Sequence, residues 1–460
     1  MSSDSATRDI ANPAVSRATA DRVSTDVKLE FPVLNIRVRG CWLAALWLAG
    51  GCGSLPASST TTLAVPGRAN ANVSITAAGE FVAATWSAAE PGGSMDIYLS
   101  VSDDGGKRFV APVRVNATPG EARVNGEQPP RIALVPRDGG SPSIVVVWTA
   151  KGTAGTVLLG SRSDDAGRTF SASTLVPGTD APGNRGWHAV GTDAAGNVHV
   201  VWLDHRRLAS DSKVENTHRH GAMAESGSDT GMAQFSDLYS AMLDNPASPA
   251  PLTAGVCYCC KTAIAPGPGG AMHLAWRHVY PGNLRDIAFT TLMAAGVTGP
   301  PVRVSEDRWM LQGCPDDGPA MDVDGSGRVH VVWPTVVTNE SAGQKVLFHA
   351  SSADGRTFTA RTRVPVEGQQ ANHPQIAVAR DGTLVLAWDE VHGTERRIVV
   401  ATSSDAGLSA VPIFRRDQST GEQSGVYPAI ALTPTHSIVA WTSGAPAEST
   451  IRVLRLPAVH

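Results

Sequence analysis

The residues of this chain best suited to chemistry are a group of cysteines and a scatter of arginines, histidines and carboxylates. Cys257, Cys259 and Cys260 stand in Val256-Cys257-Tyr258-Cys259-Cys260-Lys261, and Cys314 stands in Gly313-Cys314-Pro315. Two chemistries are open to them. In an oxidising compartment they would form a disulfide clamp. A Cys259–Cys260 bond would be vicinal and strained, so Cys314 is expected to pair with Cys259 or Cys260. Alternatively, soft thiolates suit copper(I) or zinc. His188, His278, or His218, His220, Met223 and Met232 of a polar insertion would then complete the shell. Arg206, Arg277 and Arg285 could grip a carboxylate through paired hydrogen bonds. Arg285 beside Asp286 reads equally well as an ion pair opening a strand. Asp204, Asp389 and Glu390 are candidate acids, with solvated loop carboxylates as the plainer reading. Tyr280 and Tyr427 qualify as nucleophiles if a glutamate lies within reach. Trp187, His188, His205, His278, His373 and His392 complete the candidate ligand-binding set.

Two repeating motifs must position these residues. One is a glycine turn followed by an apolar run ending in tryptophan: Gly196-Asn197-Val198-His199-Val200-Val201-Trp202, and likewise the runs ending at Trp276, Trp333 and Trp388. Looser copies end at Trp86, Trp148 and Trp441, so the motif recurs at roughly 50 to 60 residues. The other is a turn, Ser163-Asp164-Asp165-Ala166-Gly167-Arg168-Thr169-Phe170, with related copies beginning at Ser102, Ser352 and Ser403. Its serine and aspartate can bond their own backbone, and its glycine accepts a conformation that a Cβ would penalise. Short strand-like runs between turns, repeated at this period, predict an all-β propeller of four-stranded blades. Seven blades fit best, and six is the alternative. The approximate blades are 71–116, 128–178, 186–254, 259–304, 316–365, 372–416 and 426–457. The last lacks one strand, which 59–66 would supply, closing the ring and removing two sheet edges. The segment 208–234 reads as a surface insertion in the third blade.

In such a ring the serine/aspartate turns lie on one face and serve structure. The residues following each tryptophan, and those preceding each innermost strand, share the opposite face. That face gathers the candidate residues. Of 460 residues, 46 are Gly and 31 Pro, as suits a turn-rich protein, and the net charge of -4, with no basic run, argues against nucleic acid. Residues 1–36 are polar and aperiodic, and read as disordered or as an over-extended start. Arg37 and Arg39 precede the apolar run Cys41–Ala49, which is too short to span a membrane but has the size of a signal-peptide core. Residues 53–60 read as a linker, and 61–457 as the propeller.

Gly50-Gly51-Cys52-Gly53-Ser54 resembles a bacterial lipobox, in which Cys52 would be lipidated and the protein anchored in the periplasm or at the cell surface. The Ser-x-Asp-x-Gly-x-Thr-Phe turns are Asp-boxes, and with the blade pattern they resemble the sialidase (neuraminidase, BNR-repeat) superfamily over nearly all of 60–457. The Cys-x-Cys-Cys stretch, with Arg285-Asp286 and Gly313-Cys314-Pro315, is similar to a bacterial sialidase-like subgroup. The resemblance implies a propeller that handles glycans. Members that hydrolyse sialosides use three arginines, a Tyr–Glu pair and an Asp, with a first arginine in a Phe/Tyr-Arg-Ile-Pro motif that this sequence lacks. The expected function is therefore a monomeric, exported module that binds a glycan or small anionic ligand on its polar face. An exo-α-sialidase-type hydrolase is the alternative.

Overall fold

The computed structural model describes residues 59–210, 233–293, 296–297, 299–311, 313, 315–337, 343–403, 412–419 and 425–458. The chain divides into two units, Met1–Leu55 and Pro56–His460, and all that follows concerns the second. The expectations for 1–36, for the export segment with Cys41 and Cys52, for His218, His220, Met223 and Met232, and for Cys314 fall outside the described residues.

The described strands form six sheets, antiparallel but for one pairing, and one of them is eight-stranded. The first holds Ala69–Ala78, Phe81–Ala89, Met95–Ser102 and Val113–Arg114, each strand pairing with the next. The same meander repeats from Arg131–Val135, from Arg185–Thr192 and from Ala263–Pro266. The eight-stranded sheet is two such meanders, beginning at Ala320–Val323 and Gln370–Val378. They are joined by one parallel pairing, Lys345 with Gln370. The remaining sheet runs Gly425–Leu432, His436–Ser443, Thr450–Pro457, and then takes Ser59–Leu63 as its outer strand. That last pairing is antiparallel, with Ser59 opposite Arg455 and Leu63 opposite Ile451. Both ends of the unit thus meet in one sheet.

Each meander begins with an inner strand that touches the inner strand of the next, and Gly425–Leu432 packs back on Ala69–Ala78. The inner strands surround a channel of about 290 Å³, touched by Ser74, Arg131, Ala189, Lys261, Ala320, Gln375 and Ala429 among others. This is the arrangement of a β-propeller. Its core is divided into apolar layers between neighbouring sheets. In one layer Ala83, Ile97 and Leu99 of the first sheet meet Ile144, Val146 and Trp148 of the second. Trp86, Trp148, Trp202, Trp276, Trp333, Trp388 and Trp441 all sit on second strands and are at most 1% exposed.

The Asp-box turns behave as their chemistry requires. In one of them Ser163 Oγ accepts from the Gly167 N–H at 2.9 Å and Asp165 Oδ1 accepts from the N–H of Arg168 and Thr169 at 3.0 and 2.9 Å. Gly167 has φ of 81° and presses on Leu99 and Ile144 of the adjoining layer, so it answers both to backbone conformation and to space. Phe170 packs against the same layer.

Deleting 59–66 strips the outer strand from the last sheet, removes the buried Leu63 and leaves Thr450–Pro457 as an unpaired edge. The expected result is a loss of about 2–5 kcal/mol in chemical denaturation, from lost ladder hydrogen bonds and apolar burial. An unchanged unfolding midpoint would show that the strand contributes nothing to closure.

Candidate functional site

The polar residues after the tryptophans are buried, a correction to the reading of solvated loop carboxylates: Asp204, His278 and Glu390 are wall fixtures, and Asp389 belongs to a charge network under His373. Asp204, Asp389 and Glu390 are completely buried. A buried indole N–H needs an acceptor, and the residue two places on supplies it in three sheets. Trp202 Nε1 donates to Asp204 at 3.0 Å, Trp276 to His278 at 3.3 Å, and Trp388 to Glu390 at 2.7 Å. Asp204 also takes Arg185 and Arg206. Glu390 takes Arg416 and His392 and the N–H of Gly368. Arginine pairing and hydrogen bonds hold both carboxyls below the usual carboxylate range against the opposing effect of burial.

The three candidate arginines form no carboxylate grip. Arg206 is committed to Asp204 and the Gly178 carbonyl, and lies 4.2 Å over the Tyr239 ring. Arg277, 1% exposed, donates to the carbonyls of Asp317, Pro334 and Arg285. Arg285 does not pair with its neighbour: Asp286 is taken by Arg303, and Arg285 reaches Asn283 and the Cys257 sulfur. His188 donates through Nε2 to the Val147 carbonyl, and burial with Arg131 nearby depresses its pKa to about 3. His278 sits edge-on to Tyr280, its pKa pushed down to about 4 by burial. Trp187 and His205 pack on each other at 5.2 Å, and His392 is tied to Glu390. All of these belong to the walls between sheets.

Cys257, Cys259 and Cys260 are brought together and buried, their sulfurs within 4.8 Å of one another. Cys257 and Cys260 are free thiols, whereas Cys259 is disulfide-bonded. A sulfur already in a disulfide is not a thiolate ligand, so the described set offers a soft metal two thiols rather than three.

A second cluster, assembled across several sheets, lies at the mouth of the channel. It rests on a repeated distortion. The inner strands slip register between Ala71 and Ser74, Gly186 and Ala189, Asn372 and Gln375, and Val426 and Ala429. Each bulge contains a non-glycine residue at positive φ: Asn72 at 61°, Trp187 at 52°, His373 at 52° and Tyr427 at 54°. Bulky side chains avoid that region, and such strain concentrates at functional sites. Asn72, His373 and Tyr427 line one small cavity with Arg131, Lys261 and Gln375. The His373 and Tyr427 rings are 3.9 Å apart. The Tyr427 ring lies so close to Gly126 that a Cβ there would meet Cζ at 2.0 Å.

Beneath these groups is a network of buried charge. His373 Nδ1 meets Asp389 Oδ2 at 2.6 Å, and Arg396 holds the other oxygen at 2.9 Å. Asp317 accepts from the His373 N–H at 3.1 Å and from the Lys345 ammonium at 2.8 Å. Glu127 accepts from the Lys261 N–H at 3.2 Å, across 134 residues of sequence. Burial, which opposes the charge on Asp317, is outweighed by Lys345, His373 and Lys261, which bring its pKa to about 2. Burial would depress His373, but Asp389 and Asp317 raise it. Burial raises Glu127, and burial with Glu127 and Asp389 nearby raises the Tyr427 phenol. Glu127, Asp317 and His373 place ligand atoms within 4.8 Å of one another. Asp317 already holds the Lys345 ammonium and His373 Nδ1 already meets Asp389, so these groups are engaged in an ion network. Of the sequence-based candidates, His373, Asp389 and Tyr427 lie here. Lys261 and Asp317 end the segments 257–261 and 314–317, which the sequence places on this face ahead of inner strands, whereas nothing local in the sequence marks Glu127, Arg131 or Lys345. The residue preceding an inner strand was the usable signal, and it found His373.

No family model and no curated protein matches the chain. Solved structures do, among them polysaccharide lyases, an arabinanase, sialidases and an endosialidase. A PL25 ulvan lyase bound to -[GlcA(1-4)Rha3S]- aligns with a TM-score of 0.53 at 11% identity, over 85% of this chain and 94% of its own. The polysaccharide lyase Uly1 aligns at 0.50 with 10% identity, over 84% and 90%. A Trypanosoma rangeli sialidase in complex with the inhibitor DANA aligns at 0.42 with 11% identity, over 84% and 55%. At such identities the likeness is one of fold.

The charge network has a pH signature. The pKa of His373 is raised above its ordinary 6.5. The stability it adds is therefore complete below that value and is lost as pH climbs through the folded-state pKa. Asp317, depressed to about 2, adds stability above the ordinary carboxylate value that is lost as pH falls. NMR titration should find His373 still protonated above pH 6.5, and His373→Gln should flatten the alkaline side of the stability profile. An imidazole titrating below 6.5 would contradict the network.

Proposed function

We propose that this chain is an exported, lipid-anchored, seven-bladed sialidase-like propeller that binds an anionic glycan at the mouth of its channel. The observation that carries the reading is the set of strained inner-strand bulges, which bring Asn72, His373 and Tyr427 to one cavity beside Arg131 and Lys261. Cations there outnumber ionised carboxylates: Arg131, Lys261, Lys345, Arg396 and protonated His373 face Asp317, Asp389 and a Glu127 that burial pushes toward neutrality. A sugar carboxylate or sulfate is a partner of matching charge. The ring residues Tyr427 and His373 present apolar surface with polar tips, as a sugar face requires. The shared fold with polysaccharide lyases adds support.

In this reading the seven meanders are the blades, Cys52 carries the anchor, and Cys259 pairs with Cys314 as a clamp between the fourth and fifth blades. The protein acts as a monomer. An exo-sialidase-type hydrolase is the second reading. The nearness of Glu127 to Tyr427 favours it, because Glu127 is the charge acting most strongly on that phenol. The commitment of Arg206 and Arg277 to wall partners weighs against it.

Titration calorimetry against uronate-bearing, sulfated, sialylated and neutral oligosaccharides tests the proposal. Binding should be confined to the acidic members and weaken with salt. Tyr427→Phe should lose about 5-fold in affinity, the worth of one hydrogen bond, and His373→Ala more. Equal binding of neutral sugars, or unchanged affinity in both variants, would reject the mouth as the site. Release of sialic acid by the wild type would establish the second reading.

A further inference from the structure

The cysteine cluster sits against two positive charges that its surroundings leave uncompensated. Cys257 and Cys260 are free thiols, each 1% exposed, with Sγ atoms 3.6 Å from one another. Arg277 and Arg285 lie beside them and are as deeply buried. Arg277 donates to main-chain carbonyls, those of Asp317, Pro334 and Arg285. Arg285 donates to the Asn283 side chain at 3.0 Å and, through Nη1, to the Cys257 sulfur at 3.4 Å. Its Nη2 is buried and has no partner among the described residues. Neither guanidinium meets a carboxylate among those residues, and the one next in sequence, Asp286, is held by Arg303. A buried charge without a counter-charge is strongly unfavourable. The loop that carries the thiols is tied down at both ends: the Cys257 N–H donates to the Arg277 carbonyl at 2.9 Å, and the Thr262 N–H to the Trp187 carbonyl at 3.0 Å.

We propose that Cys257 and Cys260 form a two-thiolate site for a single copper(I) ion, with Arg285 as the outer hydrogen-bond donor to it. Soft thiolates select copper(I), an ion for which two ligands suffice. On binding, each thiol releases its proton to solvent and a Cu–S bond forms at each sulfur, with no change of oxidation state. The centre so formed carries a single negative charge, which answers the neighbouring guanidiniums. Arg285 keeps its donor on the Cys257 sulfur, as an outer partner orients a metal ligand. Zinc fails on both counts. Two thiolates and Zn²⁺ sum to zero, which leaves both guanidiniums uncompensated. Zinc also needs four ligands, and among the described residues no histidine or carboxylate brings a ligand atom within 4.8 Å of both free thiols. Trp187, Tyr258 and Val279 pack on the sulfurs and keep water from them. The inference stands apart from the glycan reading.

The test uses the full chain purified without oxygen or added reductant, with the copper(I) complex of bathocuproine disulfonate as the probe. Loss of the probe's colour and metal analysis after gel filtration should both give one copper per chain. X-ray absorption should show copper(I) with two sulfur neighbours. Cys257→Ser and Cys260→Ser should each abolish transfer. Arg285→Met should weaken binding about 10-fold or more, and Arg285→Lys should restore most of that loss. Zinc offered at the same concentration should not compete. The wild-type stoichiometry and sulfur count decide even if a variant fails to fold. No transfer of copper to the wild type overturns the proposal. So does a Cys257–Cys260 bond in the protein as isolated, copper retained when both Cys257→Ser and Cys260→Ser are present, or stoichiometric zinc held by these thiols.

Discussion

Seven buried indoles set the terms for the rest of the structure. Each tryptophan fills an apolar layer between two sheets, and each brings an N–H that has left water. Five find side-chain acceptors among the described residues: Asn70 for Trp86, Asp204 for Trp202, His278 for Trp276, Asp307 for Trp333 and Glu390 for Trp388. An acceptor that is itself charged must then be neutralised. Arg185 and Arg206 on Asp204, Arg361 on Asp307 and Arg416 on Glu390 follow from that need. Removing one partner of such a buried pair leaves an uncompensated charge, which costs about 3–5 kcal/mol. Much of the ionic content of this protein therefore serves packing rather than ligands.

The channel mouth differs from the walls in how its polar groups are held. The wall carboxylates cap indoles on regular strands. The mouth groups sit on or beside bulges whose central residues occupy unfavourable backbone conformations. Nothing in the packing of a four-stranded sheet calls for a histidine or a tyrosine at positive φ. The surrounding network, from Asp389 and Asp317 under His373 to the close approach of Tyr427 to Gly126, holds these residues in place. Strain retained where a regular strand would be more stable is the physical reason to regard the mouth as functional.

The fold was legible because its determinants are local and repeated. A tryptophan closing an apolar run and a Ser/Asp/Gly turn each carry their own geometry, and even the outer strand at 59–63 could be inferred from a missing partner. The site was legible only in part, because proximity to a tryptophan was read as chemistry when it marked an indole acceptor. Asp204, Glu390, Arg206 and Arg277 were drawn in by that reading. Glu127, Lys261 and Asp317 lie in the loops leading into three different inner strands, and only the arrangement of those strands brings them to His373. A bulge leaves no signature in a single sequence, so Tyr427 could be named as a candidate nucleophile without its place in the cluster being known. The free and bonded states of the three adjacent cysteines likewise depend on distances that spacing does not fix.

If the strained inner-strand residues present a glycan-binding mouth, a bound glycan must contact them. A crystal structure of the protein soaked with an acidic oligosaccharide tests it most directly. The acidic group should lie beside Lys261 and Arg131, with a sugar ring against Tyr427 or His373 and positive φ retained at both residues. An oligosaccharide bound on the Asp-box face, or His373 and Tyr427 found in regular strand conformation, would contradict it.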